Sequence, residues 1–180
     1  MFFKSIEDAH RTLSPPVVAA IGVFDGVHVG HVQLVRIARS IVGDDGCVMV
    51  LTFDPHPGSV LHPEKAPQRL STRSQRKHLL KEAGADEIVF IDPTPDFLNQ
   101  EPQQFLTAIV DPHQPDAIIE GPDFRFGRHR AGSVETLREL ESIHPYRTIV
   151  IDPVEMEMTD QHIVRVSSSI IRWLLSLIHI

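Results

Sequence analysis

Two histidines and two glycines lie close together where a buried strand is predicted to turn into a helix. The segment Phe24-Asp25-Gly26-Val27-His28-Val29-Gly30-His31 follows an apolar, β-branched run that ends at Val23. From His31 onward, apolar residues recur at three- and four-residue spacing, as in a helix with one apolar face. A helix N-terminus presents unpaired N–H groups and positive partial charge, glycine allows close backbone approach, and imidazole donates hydrogen bonds. The pattern therefore predicts a site for a phosphate group.

A purely structural role is the alternative interpretation of these histidines. A lone histidine in a loop is more often structural than catalytic, but two histidines flanking a glycine in such a turn favour chemistry. A zinc site is a weaker interpretation, because His28 and His31 lack the one-turn spacing that puts two ligands on one helix face. Neither a cysteine nor a third ligand is nearby in the sequence.

Three further segments combine residues that suit a nucleotide or a flat ring. Asp54-Pro55-His56-Pro57 is a stiff turn whose proline rings could wall a pocket. Residues 121–132 hold three arginines, which bind phosphate as forks, and two phenylalanines that either stack on a ring or fill the core. Residues 166–172 place an arginine early in a helix, where its charge opposes the helix dipole and a polyphosphate would compensate it. Taken alone, an ordinary turn and an ordinary serine cap also explain the first and last of these segments.

Alternating strand-like and helix-like stretches must position these segments. Strands are predicted at residues 17–23, 47–53, 87–91, 117–120 and 148–151, and an alternating stretch at 154–158 is predicted as an edge strand. This rhythm predicts an α/β fold with a doubly wound, mostly parallel sheet and helices on both faces. Ligands bind outside the carboxyl ends of such strands, so the polar segments that follow the strands should converge on one edge.

Capping residues mark the predicted helices. Thr72 and Gln75 form a capping-box pattern that opens a helix, and Gly84 is placed to end it. A short helix is predicted around residues 105–109. Ser168 is predicted to cap the last helix, and Ser133 to cap one that carries Val134, Leu137, Leu140 and Ile143.

The composition indicates a soluble globular domain. The 180 residues are 42% hydrophobic and 23% charged, and the net charge of −7 argues against a general nucleic-acid or anionic-membrane surface. Early acidic residues argue against a signal peptide, and no apolar run approaches the length of a membrane span. The single cysteine, Cys47, lies in an apolar run and is predicted to be a buried residue in a reducing compartment, which makes the cytoplasm the expected location.

Familiar nucleotide-binding and hydrolase motifs are absent from the sequence. It contains neither a GxxxxGK[ST] phosphate loop, a GxGxxG fingerprint, a protein-kinase set nor a GxSxG nucleophile elbow. The phosphate chemistry must therefore rest on the His-x-Gly-His turn and the arginines.

Taken together, four motifs in order closely resemble the adenylyltransferase module of prokaryotic FAD synthetases. These are the bifunctional riboflavin kinase/FMN adenylyltransferases, and the module belongs to the HxGH nucleotidyltransferase superfamily, whose fold is Rossmann-like. His-x-Gly-His alone indicates only the superfamily, whereas the Pro-His-Pro and Phe-x-Phe-Gly segments are specific to the flavin branch. The motifs, which run from about Val17 to Arg172, are Gly22-Val23-Phe24-Asp25-Gly26-Val27-His28-Val29-Gly30-His31, Thr52-Phe53-Asp54-Pro55-His56-Pro57, Asp123-Phe124-Arg125-Phe126-Gly127 and Ser167-Ser168-Ser169-Ile170-Ile171-Arg172.

The resemblance implies transfer of AMP from ATP to FMN with Mg²⁺, giving FAD and pyrophosphate without a protein nucleophile. ATP and FMN are then the small-molecule partners, and the resemblance identifies no metal ligand. It implies catalytic roles for His28, His31 and Asp123, the last at a polar position near the reacting groups. It implies ATP binding by Gly22, Phe24, Asp25, Gly26, Gly30, Ser168 and Arg172, and flavin binding by Pro55, His56, Pro57, Phe124, Arg125 and Phe126.

The sequence departs from the bifunctional pattern at its end. Bifunctional members continue into a β-barrel that phosphorylates riboflavin, and this sequence stops eight residues after Arg172. We therefore expect one adenylyltransferase-like domain over residues 1–180, truncated at its C-terminus and without riboflavin kinase activity. Residues 173–180 predict a helix that is apolar nearly all round, which favours self-association. Two alternatives stay open: a non-catalytic flavin- or adenine-nucleotide-binding domain left by truncation, and a nucleotidyltransferase of the same superfamily with another acceptor, such as nicotinamide mononucleotide or phosphopantetheine.

Overall fold

Strands and helices alternate along the chain, as its hydrophobic pattern predicts. A computed structural model describes residues 15–158 and 161–177. The strands of this described part are β1 (Val17–Gly22), β2 (Cys47–Phe53), β3 (Glu87–Ile91), β4 (Ala117–Glu120), β5 (Arg147–Val150), β6 (Glu155–Glu157) and β7 (Ile163–Arg165). Its helices are α1 (Val29–Val42), α2 (Pro57–Leu61), α3 (Arg73–Ala83), α4 (Pro95–Leu98), α5 (Pro102–Ile109), α6 (Val134–Leu140) and α7 (Ser168–Leu177).

The central sheet has five strands in the order β3-β2-β1-β4-β5, and every neighbouring pair is parallel. The central strand β1 pairs along its whole length with β2, from Val17 opposite Cys47 to Gly22 opposite Thr52. Its apolar residues are buried on both faces of the sheet, which explains why the strand reads as a continuous apolar run.

Helices cover both faces of the sheet, and the alternation of β1 divides the core in two. Val17, Ala19 and Ile21 belong to the cluster that includes the buried face of α5 and Leu137 of α6. Val18 and Ala20 belong to the cluster that includes the buried faces of α1 and α3. The doubly wound, mostly parallel α/β fold predicted from the sequence is confirmed.

Local capping chemistry accounts for several helix ends. The predicted capping box at Thr72 is confirmed, because its hydroxyl accepts from Gln75 N while the Gln75 side chain accepts from Thr72 N. Gly84 ends α3 in the left-handed conformation, with φ of 113°. Ser133 caps α6 as predicted.

The strand predicted at residues 154–158 is present as β6, which pairs with β7 in a separate antiparallel hairpin and not with the central sheet. Three local predictions are wrong. Helix α6 ends at Leu140, so Ile143 lies beyond it and is 59% exposed. Ser167 rather than Ser168 supplies the cap of α7, and Cys47 is only partly buried.

The apolar C-terminal helix is present, with Trp173, Leu175 and Leu177 about half exposed. Self-association through it stays a prediction. Residues 178–180 of that tail, and residues 1–14, which carry the prediction about a signal peptide, lie outside the described residues.

Candidate functional site

The connectivity of the sheet has a switch point between β1 and β4. The chain winds outward from β1 to β3 and then returns to β4 on the other side, so the connectivity reverses between β1 and β4. The two strands pair at Val18–Ala117 and Ala19–Ile118. Nearer their carboxyl ends, Ile21 N donates to the Glu120 carboxyl at 2.6 Å. Burial raises the pKa of Glu120 well above its usual range, although the bond from Ile21 opposes that shift. Such a switch point is where open parallel sheets bind ligands.

The turn from β1 to α1 is strained and tightly packed. Phe24 and Val27 adopt positive φ values of 51° and 39°, which side-chain-bearing residues rarely do. Gly26 also has a positive φ, 81°, and a Cβ there would lie 3.0 Å from the Leu70 side chain. Strain of this kind, of order 1–3 kcal/mol per residue, persists where the surroundings enforce it and clusters at functional sites.

The two histidines of this turn stack on each other. Their ring centroids are 3.6 Å apart at an interplanar angle of 19°, and the Phe24 ring is 4.9 Å from that of His31. A Cβ at Gly30 would lie 3.2 Å from the His28 ring, so glycine makes room for it. Likewise, a Cβ at Gly22, at the end of β1, would lie 3.1 Å from the Phe24 ring.

Burial keeps both imidazoles neutral. It lowers the pKa of His28, and burial together with the neighbouring His28 lowers the pKa of His31 to about 3. Both Nδ1 atoms are buried without a hydrogen-bond partner. A stacked, neutral and incompletely bonded pair at this edge of the sheet is able to donate hydrogen bonds to an anion.

Asp25 joins three segments of the chain. Its carboxylate accepts from the backbone N–H groups of Leu70 and Ser71 and from the Ser71 hydroxyl at 3.0 Å each, and from Arg172 Nη2 at 2.5 Å. Burial by itself would raise the pKa of Asp25, but these hydrogen bonds outweigh it and lower the pKa. Asp25 is therefore an anionic hub between the turn, the loop before α3, and α7.

The N-terminus of α7 is fastened to the same hub. Ser168 Oγ donates to the Asp25 carbonyl at 2.8 Å, and Arg172 Nε donates to the Gln68 carbonyl at 2.6 Å. Ser167 Oγ caps the helix by accepting from the N–H three residues on. The charge of Arg172 that opposes the helix dipole is compensated here by Asp25.

The Pro-His-Pro segment forms a rigid turn after β2. The bond between Asp54 and Pro55 is cis, and Pro57 is the first residue of α2. His56 caps α2, because its Nδ1 accepts from Gly58 N at 2.9 Å. Burial lowers the pKa of His56, with Arg172 and Arg76 acting in the same direction and Asp25 against them.

The segment after β4 separates its two phenylalanines. Phe126 is buried in the core, whereas Phe124 is partly exposed and stacks on it with centroids 5.4 Å apart. Arg125 is exposed and donates to the Phe124 carbonyl, and Asp123 is exposed in an ion pair with Arg165 of β7. Of the two rings, Phe124 is the one that a ligand can reach.

Arg76 is a site residue that sequence reasoning missed. It is 2% exposed, and its Nη1 donates to the carbonyls of Val23 at 3.0 Å and Phe53 at 2.7 Å, and to Thr52 Oγ1 at 3.3 Å. Its Nη2 donates to Asp54 Oδ1 at 3.3 Å. The available signal was a charge on the buried face of α3, in line with Leu80 and Ala83.

Within residues 15–158 and 161–177, no three His, Cys, Asp or Glu side chains are grouped as a metal site. No helix of the same described part has the length and apolar character to cross a membrane.

Comparisons with known proteins agree with this architecture. The family model described as FAD synthetase matches residues 10–169. A protein of Listeria monocytogenes named FAD synthetase is 30% identical over 173 residues, which cover 93% of this chain and 68% of that protein. A Bacillus subtilis protein named bifunctional riboflavin kinase/FMN adenylyltransferase is 30% identical over 122 residues.

That second match covers 67% of this chain but 39% of the Bacillus protein, so the chain spans about two fifths of such bifunctional relatives. Among solved structures, one from Streptococcus pneumoniae titled macrolide-efflux protein superposes with a TM-score of 0.73 at 26% identity. That superposition covers 88% of this chain and 51% of the other.

Proposed function

The chain belongs to the FAD synthetase family, and on that premise we propose that it is an FMN adenylyltransferase, which transfers AMP from ATP to FMN. The observation that carries the proposal is the convergence at one sheet edge of the stacked His28–His31 pair, the Pro-His-Pro turn and the N-terminus of α7. These segments are distant in sequence, and together they supply anion donors on one side and flat, rigid surfaces on the other.

On the ATP side, His28 and His31 donate hydrogen bonds to the phosphates. Burial lowers the pKa of both imidazoles and so favours their neutral form in the free protein, and an approaching polyphosphate favours protonation because opposite charges attract. The donors are held by the strained turn and so need little reorganisation, which is how an enzyme stabilises charge that develops at the α-phosphoryl group.

Arg172 and the N–H groups in the first turn of α7, beginning with that of Ser168, hold the departing pyrophosphate, since the Ser168 hydroxyl already donates its hydrogen to the Asp25 carbonyl. A guanidinium carries five N–H donors, and the Arg172 hydrogen bonds to Gln68 and Asp25 engage Nε and Nη2. The remaining donors bind phosphate oxygens, while Asp25 keeps the side chain oriented. Gly22, Phe24, Gly26 and Gly30 act by shaping the turn around the nucleotide.

The flavin side is formed by Pro55, His56, Pro57, Phe124 and Arg125. The cis Asp54–Pro55 turn and the partly exposed Phe124 ring supply rigid apolar surface for a planar ring system. Phe126 supports Phe124 from the core rather than touching the flavin. Asp123 is proposed as a polar contact near the reacting groups.

In the reaction, an FMN phosphate oxygen attacks the α-phosphorus of ATP in line. The new P–O bond forms as the bond from the α-phosphorus to its bridging oxygen breaks, and pyrophosphate leaves with that electron pair. The protein contributes positioning and electrostatic stabilisation. Mg²⁺ enters as part of the ATP substrate, held by phosphate oxygens and water as this ion prefers.

The test is to incubate the purified protein with ATP, FMN and MgCl₂ and to separate FAD by chromatography. FAD formation in proportion to enzyme, absent in a His28→Ala/His31→Ala double variant, is expected. Absence of FAD at every enzyme level would refute the proposal, and tight FMN binding without turnover would instead indicate a binding domain. Parallel reactions with nicotinamide mononucleotide and phosphopantetheine test the acceptor.

Two further proposals concern context. The described residues are proposed to form a single adenylyltransferase domain. The activity is proposed to be cytoplasmic, because ATP and FMN are available there. Cell fractionation followed by detection with an antibody to the protein tests this location.

A further inference from the structure

Arg76, a buried residue of α3, contacts the backbone that leads into the histidine turn and the backbone that leads into the Pro-His-Pro turn. One guanidinium group donates to the carbonyl of Val23, which leads into the histidine turn, and to the carbonyl of Phe53, which leads into the Pro-His-Pro turn. It also reaches the side chains of Thr52 and Asp54. The Thr52 hydroxyl in turn donates to the Val23 carbonyl at 2.9 Å. The ends of β1 and β2 are thus tied to α3 through a single side chain.

Fold stability alone is a poor explanation for this residue. Desolvating a charge costs several kcal/mol, and a well-packed apolar side chain at such a position is often neutral or stabilising. Arg76 sits on the buried face of α3, where Leu80 and Ala83 are apolar. Its carboxylate partner Asp54 also binds Arg69, whose Nη2 donates to Asp54 Oδ1 at 2.7 Å. Its Nε is buried without a partner.

We propose that Arg76 is a positioning residue that holds the histidine turn and the Pro-His-Pro turn in register, so that ATP and FMN meet in the reactive geometry. The kinetic part of this inference rests on the proposed function. A displacement of about 1 Å between reacting groups is able to cost about 100-fold in rate, which makes such a cross-link valuable.

The positive charge of Arg76 also reaches both turns. This charge helps to lower the pKa of His31. Burial and the neighbouring His28 lower that pKa more strongly, and Asp25 acts in the opposite direction. It also helps to lower the pKa of His56. Burial and Arg172 of α7 are the larger causes of that shift, and Asp25 again acts in the opposite direction. His56 is therefore a reporter of this charge that needs no catalysis.

Arg39 provides a matched control at the opposite edge of the sheet. It also bridges a helix to strand ends, donating from α1 to the carbonyls of Gly46 before β2 and Gly84 before β3, and pairing with Asp86. An Arg39→Met variant loses a comparable network of arginine-to-carbonyl bonds without touching the turns.

The experiment compares Arg76→Met, Arg76→Lys and Arg39→Met in three measurements: urea unfolding, steady-state kinetics, and NMR titration of His56. For Arg76→Met we expect kcat/KM to fall roughly 10- to 100-fold and the pKa of His56 to rise by a few tenths to about one unit. Whatever its effect on the free energy of unfolding, Arg39→Met should change kcat/KM by less than about twofold and leave the pKa of His56 unchanged.

Arg76→Lys separates the cross-link from the charge, and it carries the test if Arg76→Met does not fold. Lysine keeps the charge but lacks the planar fork, so His56 should keep its pKa while kcat/KM falls about fivefold or more. Wild-type kinetics in both Arg76 variants, or an equal kinetic loss in Arg39→Met, would overturn the inference. If the wild-type protein makes no FAD, the proposed function fails, and an unchanged His56 pKa in Arg76→Met then overturns the inference separately.

Discussion

Replacing Asp25 by asparagine removes one charge and one acceptor oxygen from the hub that joins three segments. In the wild-type protein, Oδ1 accepts from Ser71 N and Ser71 Oγ, and Oδ2 accepts from Leu70 N and Arg172 Nη2. Asparagine has a single acceptor oxygen. At the Oδ2 position this oxygen leaves the Ser71 donors facing an NH₂ group, and at the Oδ1 position it leaves Arg172 facing one, while Leu70 N keeps a longer bond of 3.2 Å. The Asp25 side chain is only 6% exposed, and that of Arg172 is 18% exposed, so water compensates little.

The size of the loss follows from these contacts. A neutral hydrogen bond contributes about 0.5–1.5 kcal/mol, and one to a charged group about 1.5–3 kcal/mol. Every bond to the Asp25 carboxylate has a charged partner, and asparagine removes at least one of them and weakens the others. Asp25→Asn should therefore lower the free energy of unfolding by about 2–4 kcal/mol. For a domain of marginal stability, that is a large fraction of the total.

The effect of Asp25→Asn should depend on pH with a definite sign. Because the pKa of Asp25 is lowered in the folded protein, the carboxylate stabilises the fold above its unfolded pKa of about 3.9. The stability difference between the two proteins should stay constant from about pH 8 to pH 5 and shrink as pH falls below about 4, through the folded pKa.

Urea unfolding at several pH values measures this difference directly. Asp86→Asn is the control, because Asp86 also accepts from a strand N–H, that of Val48, and pairs with an arginine, yet its side chain is 46% exposed. Its substitution should cost about 1 kcal/mol or less. An Asp25→Asn protein within 0.5 kcal/mol of wild type at pH 7, or a difference that grows on acidification, would refute the reasoning.

Further predictions concern the rate and its pH dependence. His31→Ala should lower kcat about 100- to 1,000-fold in the FAD assay, as loss of a transition-state donor does; an unchanged rate removes His31 from the mechanism. Arg172→Ala should raise the KM for ATP more than that for FMN, because the guanidinium is placed on the phosphate side; the reverse result would mean that the two subsites are exchanged. Because the pKa of His31 lies at about 3, titration of His31 should add no inflection to kcat/KM between pH 5 and pH 8. An inflection in that range that disappears in His31→Ala would contradict the low pKa.

Most of the fold could be read from local patterns. Buried parallel strands are apolar throughout, so the five strands of the sheet were visible as β-branched runs, and the capping box at Thr72 marked a helix start. Strand β7, and with it the pairing of β6, was missed because a strand of three residues, two of them exposed, carries almost no hydrophobic signal.

Where side chains end up was harder to predict. Ser167 caps α7 in place of the predicted Ser168, because the Ser168 hydroxyl donates to the Asp25 carbonyl. That contact joins residues 143 positions apart. Phe126 went to the core while Phe124 stayed accessible, which composition alone could not distinguish.

The sequence alone was sufficient to locate the His28-to-His31 turn, to place it after a buried strand and to associate it with phosphate chemistry, because those properties depend on residue type and short-range spacing. The partners of that turn depend on how the chain packs. That Asp25 compensates Arg172 and that Arg76 bridges two strand ends both follow from long-range contacts. Such contacts leave no periodic trace, because each joins residues tens of positions apart through a single side chain.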